Sequence, residues 1–120
     1  MTLVNYDFSP SALRQLTRIF RESEIEFGLA ARRRYEVLVG QAIRDLLANP
    51  SRPGAQMVGD RIHYHLRHSR ARVPVGEGGV GRPRHILIAR VVGSDLRILA
   101  IGYDAMVAGL QSRIEDGERP

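Results

Sequence analysis

The apolar residues of this 120-residue chain change period near its middle, and no other feature constrains its fold as strongly. Before Pro50 they recur every three or four positions, the spacing that keeps side chains on one face of a helix. After Arg61 they alternate, as in a strand with one buried face. A chain that switches once builds its helices and its sheet in separate runs, which is the α+β class. The expected architecture is an N-terminal helical hairpin packed on a small antiparallel β-sheet, as a single domain over residues 1–120.

Ser9-Pro10 reads as an N-cap followed by proline at the first helical position, where its missing amide hydrogen costs nothing. Helix one is expected to run to about Phe27 with an apolar face of Leu13, Leu16, Phe20 and Phe27, Ile19 alongside, and Gly28 as its stop. Helix two carries Ala31, Tyr35, Leu38, Val39, Ala42, Ile43, Leu46 and Leu47, and Asn49-Pro50 ends it. Residues 3–8 form an added edge strand. The later strand signals are residues 62–70, 84–92 and 95–103, the last two joined into an antiparallel hairpin by Gly93-Ser94. Asp104 is expected to cap a last short helix through Leu110 and Ile114, followed by a frayed tail over residues 115–120.

Residues 71–81 form a flexible Gly-rich loop in this reading. Gly76, Gly78 and Gly81 match a dinucleotide fingerprint by counting, but that motif works as a turn from strand into helix, and here Arg82-Pro83 and another strand follow.

The basic residues are 18 arginines and no lysine, and the formal net charge is +5. Such a surface suits an anionic or acidic partner. His63, His65 and Arg67 are spaced by two, so a strand would present them together on an outward face, a grip for phosphates, with Ile62, Tyr64 and Leu66 toward the helices. His68 falls on the opposite face of such a strand, and the chain has no cysteine to complete a zinc site. No metal or other cofactor is expected. At the hairpin tip, Glu22, Glu24 and Glu26 oppose Arg32, Arg33 and Arg34, a charge-paired turn. No apolar run has the length of a membrane span, and the start lacks the pattern of a secretory signal, so a cytoplasmic protein without membrane contact is expected.

Tyr6-Asp7-Phe8-Ser9-Pro10-Ser11-Ala12, Leu46-Leu47-Ala48-Asn49-Pro50, Tyr64-His65-Leu66-Arg67-His68-Ser69-Arg70 and Arg82-Pro83-Arg84-His85 together resemble ParE-type toxins of the RelE/ParE toxin-antitoxin superfamily over nearly the whole chain. The resemblance implies a type II toxin that inhibits DNA gyrase without catalysis and is neutralised by a cognate antitoxin, with no direct nucleic-acid binding. Arg90, Asp104 and Met106 match positions common in that family, while Ala89, Ala100 and Tyr103 depart from its usual aromatic, arginine and histidine. Target or antitoxin contacts are expected at Arg67, Arg84, Arg90, Tyr103, Asp104 and Met106. One alternative is a RelE-like ribosome-dependent messenger-RNA endonuclease using His63, His65 and Arg67. Against it, Ile86 stands at the position of a strand arginine and Ala108 near that of a catalytic tyrosine. The other alternative is an inactive antitoxin-binding module.

Overall fold

The computed structural model describes residues 2–73 and 79–118. Strand β1 (Asn5–Phe8) leads into helices α1 (Pro10–Phe27) and α2 (Leu29–Ala48). Strands β2 (Gln56–Val58) and β3 (Arg61–His65) follow, then a 3-10 segment (Leu66–Arg72), the hairpin of β4 (His85–Val92) and β5 (Asp95–Tyr103), a 3-10 turn (Asp104–Met106) and helix α3 (Val107–Glu118). The sheet order is β1-β5-β4-β3-β2. This is an α+β fold with the helical hairpin on one sheet face, as expected. No helix among the described residues is long and apolar enough to cross a membrane.

Ser9 ties the hairpin to the sheet. Its Oγ accepts the Ala12 amide at 3.1 Å, capping α1, and donates to the Leu99 carbonyl at 3.0 Å. The β4–β5 register slips between Ile88 and Ala89, so Leu99 is the extra residue of a bulge. The bulge aims that carbonyl at the helix cap and places both Leu99 and Ala100 on the face away from the hairpin. Gly28 stops α1 at φ 95°, a conformation that side-chain-bearing residues rarely adopt, and opens α2 directly. Gly93, at φ 62°, takes the first position of the two-residue β4–β5 turn.

The three later strands pair antiparallel as expected, and the added edge strand makes the whole sheet mixed. β1 pairs with β5 in parallel over Asn5–Phe8, because the chain must leave the sheet toward the Ser9 cap, and the Ser9 amide donates to Ile98 O at 2.9 Å. Leu3 lies outside the ladder: its amide donates to Leu47 O at 2.7 Å while its side chain enters the core. A further edge strand, β2, has three residues, all exposed, and is too short to give an alternating signal. The strand expected over residues 62–70 ends at His65. The His65 ring caps the next turn by accepting the Arg67 amide on Nδ1 at 3.1 Å, and the following residues coil down onto α2.

α1 buries Ala12, Leu16 and Ile19, with Phe20 partly covered, whereas Leu13 and Phe27 are exposed. Fully buried Ala12 lets the helix backbone approach the sheet closely, which rotates the bulkier Leu13 outward. The α2 stripe is placed as expected. Leu38, Ala42 and Leu46 are fully buried against Ile62, Tyr64, Leu87 and Ile98, each large side chain contributing about 1.5–3 kcal/mol. A second apolar layer covers the other sheet face, where Leu110 and Ile114 of α3 pack on Ile88, Leu99 and Ala100.

Candidate functional site

The second layer changes the meaning of the histidines. His63 and His65 do lie on the face away from the hairpin, but that face is roofed by α3, and each is only 8% exposed. The expected outward basic face is therefore absent. His63 Nε2 is buried with no hydrogen-bond partner, and burial, reinforced by the nearby Arg61 charge, holds its pKa below the usual histidine value. In His65 both ring nitrogens are engaged, Nδ1 by the Arg67 amide and Nε2 by Asp104 Oδ2 at 2.9 Å. Arg67 is exposed on the 3-10 segment, off the strand, while both histidines are buried, so the three residues present no joint surface. His68 belongs to that same segment and packs its ring on Tyr64.

On the hairpin side, the ends of two strands and one helix bring together a group that sequence reading did not assemble. His85 opens β4, Tyr103 closes β5 directly opposite it, and Tyr35 projects from α2. The Tyr35 hydroxyl bonds His85 Nδ1, and the two rings meet edge to face. Burial raises the Tyr35 pKa, opposed in part by the Arg84 backbone amide that faces its oxygen, so the hydroxyl is protonated. Burial lowers His85 to about 4, so it is neutral at physiological pH. With the Arg84 amide directed at the Tyr35 oxygen, the hydroxyl proton is left for Nδ1, which places the proton of the neutral imidazole on Nε2. That nitrogen is buried and has no partner.

The Tyr103 ring overlies His85, centroids 4.5 Å apart, and is 46% exposed while His85 is 7% exposed. Next in sequence, Asp104 turns to the opposite sheet face and accepts from His65 instead of acting as a simple helix cap, which lowers its pKa. Its own amide donates to Arg84 O at 2.9 Å. Around this group, a cleft of about 550 Å³ opens between the hairpin tip and the start of β4. Arg34, Arg82 and Arg84 line it together with Glu22 and Glu26 of α1.

Of the residues singled out in the sequence, Arg84 and Tyr103 line this cleft, Asp104 faces the other side of the sheet, and Met106 is exposed in the 3-10 turn that follows. Arg90 lies toward the far end of β4, 3.7 Å from Asp60. At the hairpin tip, Arg32 alone among the described residues makes the expected pairing, with Glu24 at 3.3 Å, and it also meets Glu36 of its own helix at 3.4 Å. The Gly-rich loop and the tail fall partly on residues 74–78 and 119–120, outside the described residues. No group of three potential metal ligands occurs among the described residues.

Sequence reading also missed a buried polar knot. Asp45 on α2, 4% exposed, accepts from Ser69 at 2.6 Å, Arg72 at 2.8 Å, Gln41 at 2.8 Å and Arg52 at 2.9 Å. Tyr64 completes it by donating to Ser69 Oγ at 2.7 Å and accepting from Arg52. The knot fastens Arg52, Ser69 and Arg72 against α2. A charged residue inside an apolar helical stripe was the available signal.

The family model described as ParE toxin of type II toxin-antitoxin system, parDE, matches residues 6–108. No curated protein gives a significant match.

Proposed function

This chain belongs to the ParE family of toxins of type II toxin-antitoxin systems, and we propose that it acts without catalysis in the cytoplasm, inhibiting DNA gyrase until a cognate antitoxin neutralises it. The observation that carries this reading is the reach of the family match, which runs from β1 through every later strand into the start of α3. The arrangement of the strand histidines supports a binding toxin over a ribonuclease. Cleaving a phosphodiester needs an accessible proton-transfer group and cations aimed at the developing charge. His63 is roofed by α3 and both nitrogens of His65 are occupied. Ile86 packs in the apolar layer beneath α3, and Ala108 offers no functional group.

Contacts to gyrase or antitoxin are assigned to Arg67, Arg84, Arg90, Tyr103, Asp104 and Met106. A supercoiling assay with purified protein tests the reading: relaxed plasmid is expected to stay relaxed or to accumulate as cleaved complex, with Arg90→Ala and Met106→Ala weakening the effect more than His63→Ala. Cleavage of messenger RNA on translating ribosomes, abolished by His63→Ala or His65→Ala while supercoiling proceeds, reverses it.

A further inference from the structure

The cleft beside His85 is rich in donors that lack acceptors. Arg32, Arg52, Arg72, Arg90 and Arg97 each hold a carboxylate within 4.0 Å. Arg34, Arg82 and Arg84 hold none among the described residues, although all three line the cleft, and Arg84 acts on Asp104 only at longer range. Behind them sits the His85 Nε2–H, an unpaired donor in a side chain more than nine-tenths buried. An unsatisfied buried donor is destabilising, so a site that keeps one is poised to gain from an incoming acceptor.

Part of the cover over the His85 ring is the Tyr103 ring, 4.5 Å away between centroids. Tyr103 is a half-exposed side chain at the end of a strand, with its ring tilted on the imidazole. Rotation of Tyr103 about its side-chain bonds opens His85 to the cleft without disturbing the β4–β5 ladder. Phe27, exposed on the facing helix, supplies an apolar wall.

We propose that this cleft is the docking site for an acidic segment of the antitoxin, whose carboxylate or carbonyl oxygens displace Tyr103 from His85 and pair with Arg34, Arg82 and Arg84 while an apolar side chain packs on Phe27. The inference rests on the toxin-antitoxin reading and locates its partner contact. Glu22 and Glu26 on the α1 wall favour a peptide over a nucleotide. A phosphate dianion would face both carboxylates at close quarters, whereas a peptide offers its acidic groups to the arginine wall and its amide hydrogens to the glutamates. The volume lies within the range of pre-formed ligand sites.

The test uses the protein encoded by the adjacent reading frame, titrated calorimetrically into the intact toxin at several salt concentrations. Arg84→Gln and Arg34→Gln lie on accessible side chains and leave the core in place. Each is expected to weaken binding about tenfold or more and to flatten the salt dependence. His85→Phe is expected to weaken binding to a similar extent but to leave the salt slope unchanged, with thermal unfolding confirming that it folds. Arg18→Gln, on the outer face of α1, is the control and should stay within about twofold. A complex that forms with wild-type affinity in the cleft variants overturns the docking site and leaves the toxin-antitoxin reading standing. Displacement of the partner by millimolar adenosine monophosphate, lost in Arg84→Gln, overturns it in favour of a nucleotide site. No complex with wild type sinks the reading and this inference together.

Discussion

Replacing Asp45 by asparagine keeps the shape of the polar knot and removes its charge. In the native protein the carboxylate neutralises Arg52, whose side chain is 17% exposed, and Arg72, whose side chain is 58% exposed. Breaking a fully buried pair from one side costs about 3–5 kcal/mol. Arg52 retains some contact with water, which sets its loss near the lower limit, and the exposed Arg72 adds at most a few tenths of a kcal/mol to about 1 kcal/mol. The expected loss is therefore about 3 kcal/mol. With an unfolding entropy of about 2.1 cal/mol/K per residue over 120 residues, 1 kcal/mol moves Tm by about 4 °C, so Asp45→Asn should melt about 12 °C lower.

Urea unfolding followed by far-ultraviolet circular dichroism measures this directly, since the fold is rich in helix and the chain has no tryptophan. The Arg52→Met, Asp45→Asn double variant provides the internal control. With the second charge gone, it should recover part of the loss, and the two single effects should sum to more than the double. The pH dependence carries a further signature. Burial alone would raise the Asp45 pKa, but hydrogen bonds from Ser69, Arg72 and Gln41 and the charge of Arg52 outweigh it and hold the group below the ordinary aspartate value. The knot thus contributes stability above pH about 4 that disappears as the pH falls through the lowered folded value, and Asp45→Asn should lack that component. A loss under about 1 kcal/mol, or strict additivity with Arg52→Met, would refute the claim that the knot holds this segment to α2.

The remaining predictions concern single positions. Gly54 has φ 95°, and a Cβ there would lie 2.5 Å from His68 Cγ, so Gly54→Ala should destabilise by more than about 1 kcal/mol in the same urea assay and expel the His68 ring. Because the folded His85 pKa is held near 4, the unfolded chain takes up a proton first as pH falls below about 6.5, and stability should drop by about 3 kcal/mol between there and pH 4. His85→Phe should flatten that limb of the stability profile. Gly102→Ala places a methyl group 3.1 Å from Leu110 Cδ2, and should weaken the seating of α3, read as faster amide exchange in Val107–Glu118 with β1 unchanged.

What was legible in the sequence followed from local periodicity. Pro10, Gly28 and Asn49 marked helix ends because capping is decided within one turn, and Leu38, Ala42 and Leu46 marked a buried face because their spacing alone fixes their direction. Alternation also assigned His63 and His65 to the correct side of β3. It could not reveal that this side was covered, since the roof comes from a short and weakly amphipathic segment, through Leu110 and Ile114 with Val107 partly buried beside them. The same limit hid the site. Tyr35 was read as one more apolar residue of α2, and His85 as the start of a strand. Their meeting depends on a 50-residue separation closed by the sheet register that sets His85 opposite Tyr103. Asp45 differs in kind, because a carboxylate within a buried stripe must be satisfied by something, and the arginines and serine that satisfy it, Arg52, Ser69 and Arg72, lie on either side of β3. An isolated charge in an apolar pattern is thus a demand on distant residues. Here meeting it holds Arg52, Ser69 and Arg72 against α2.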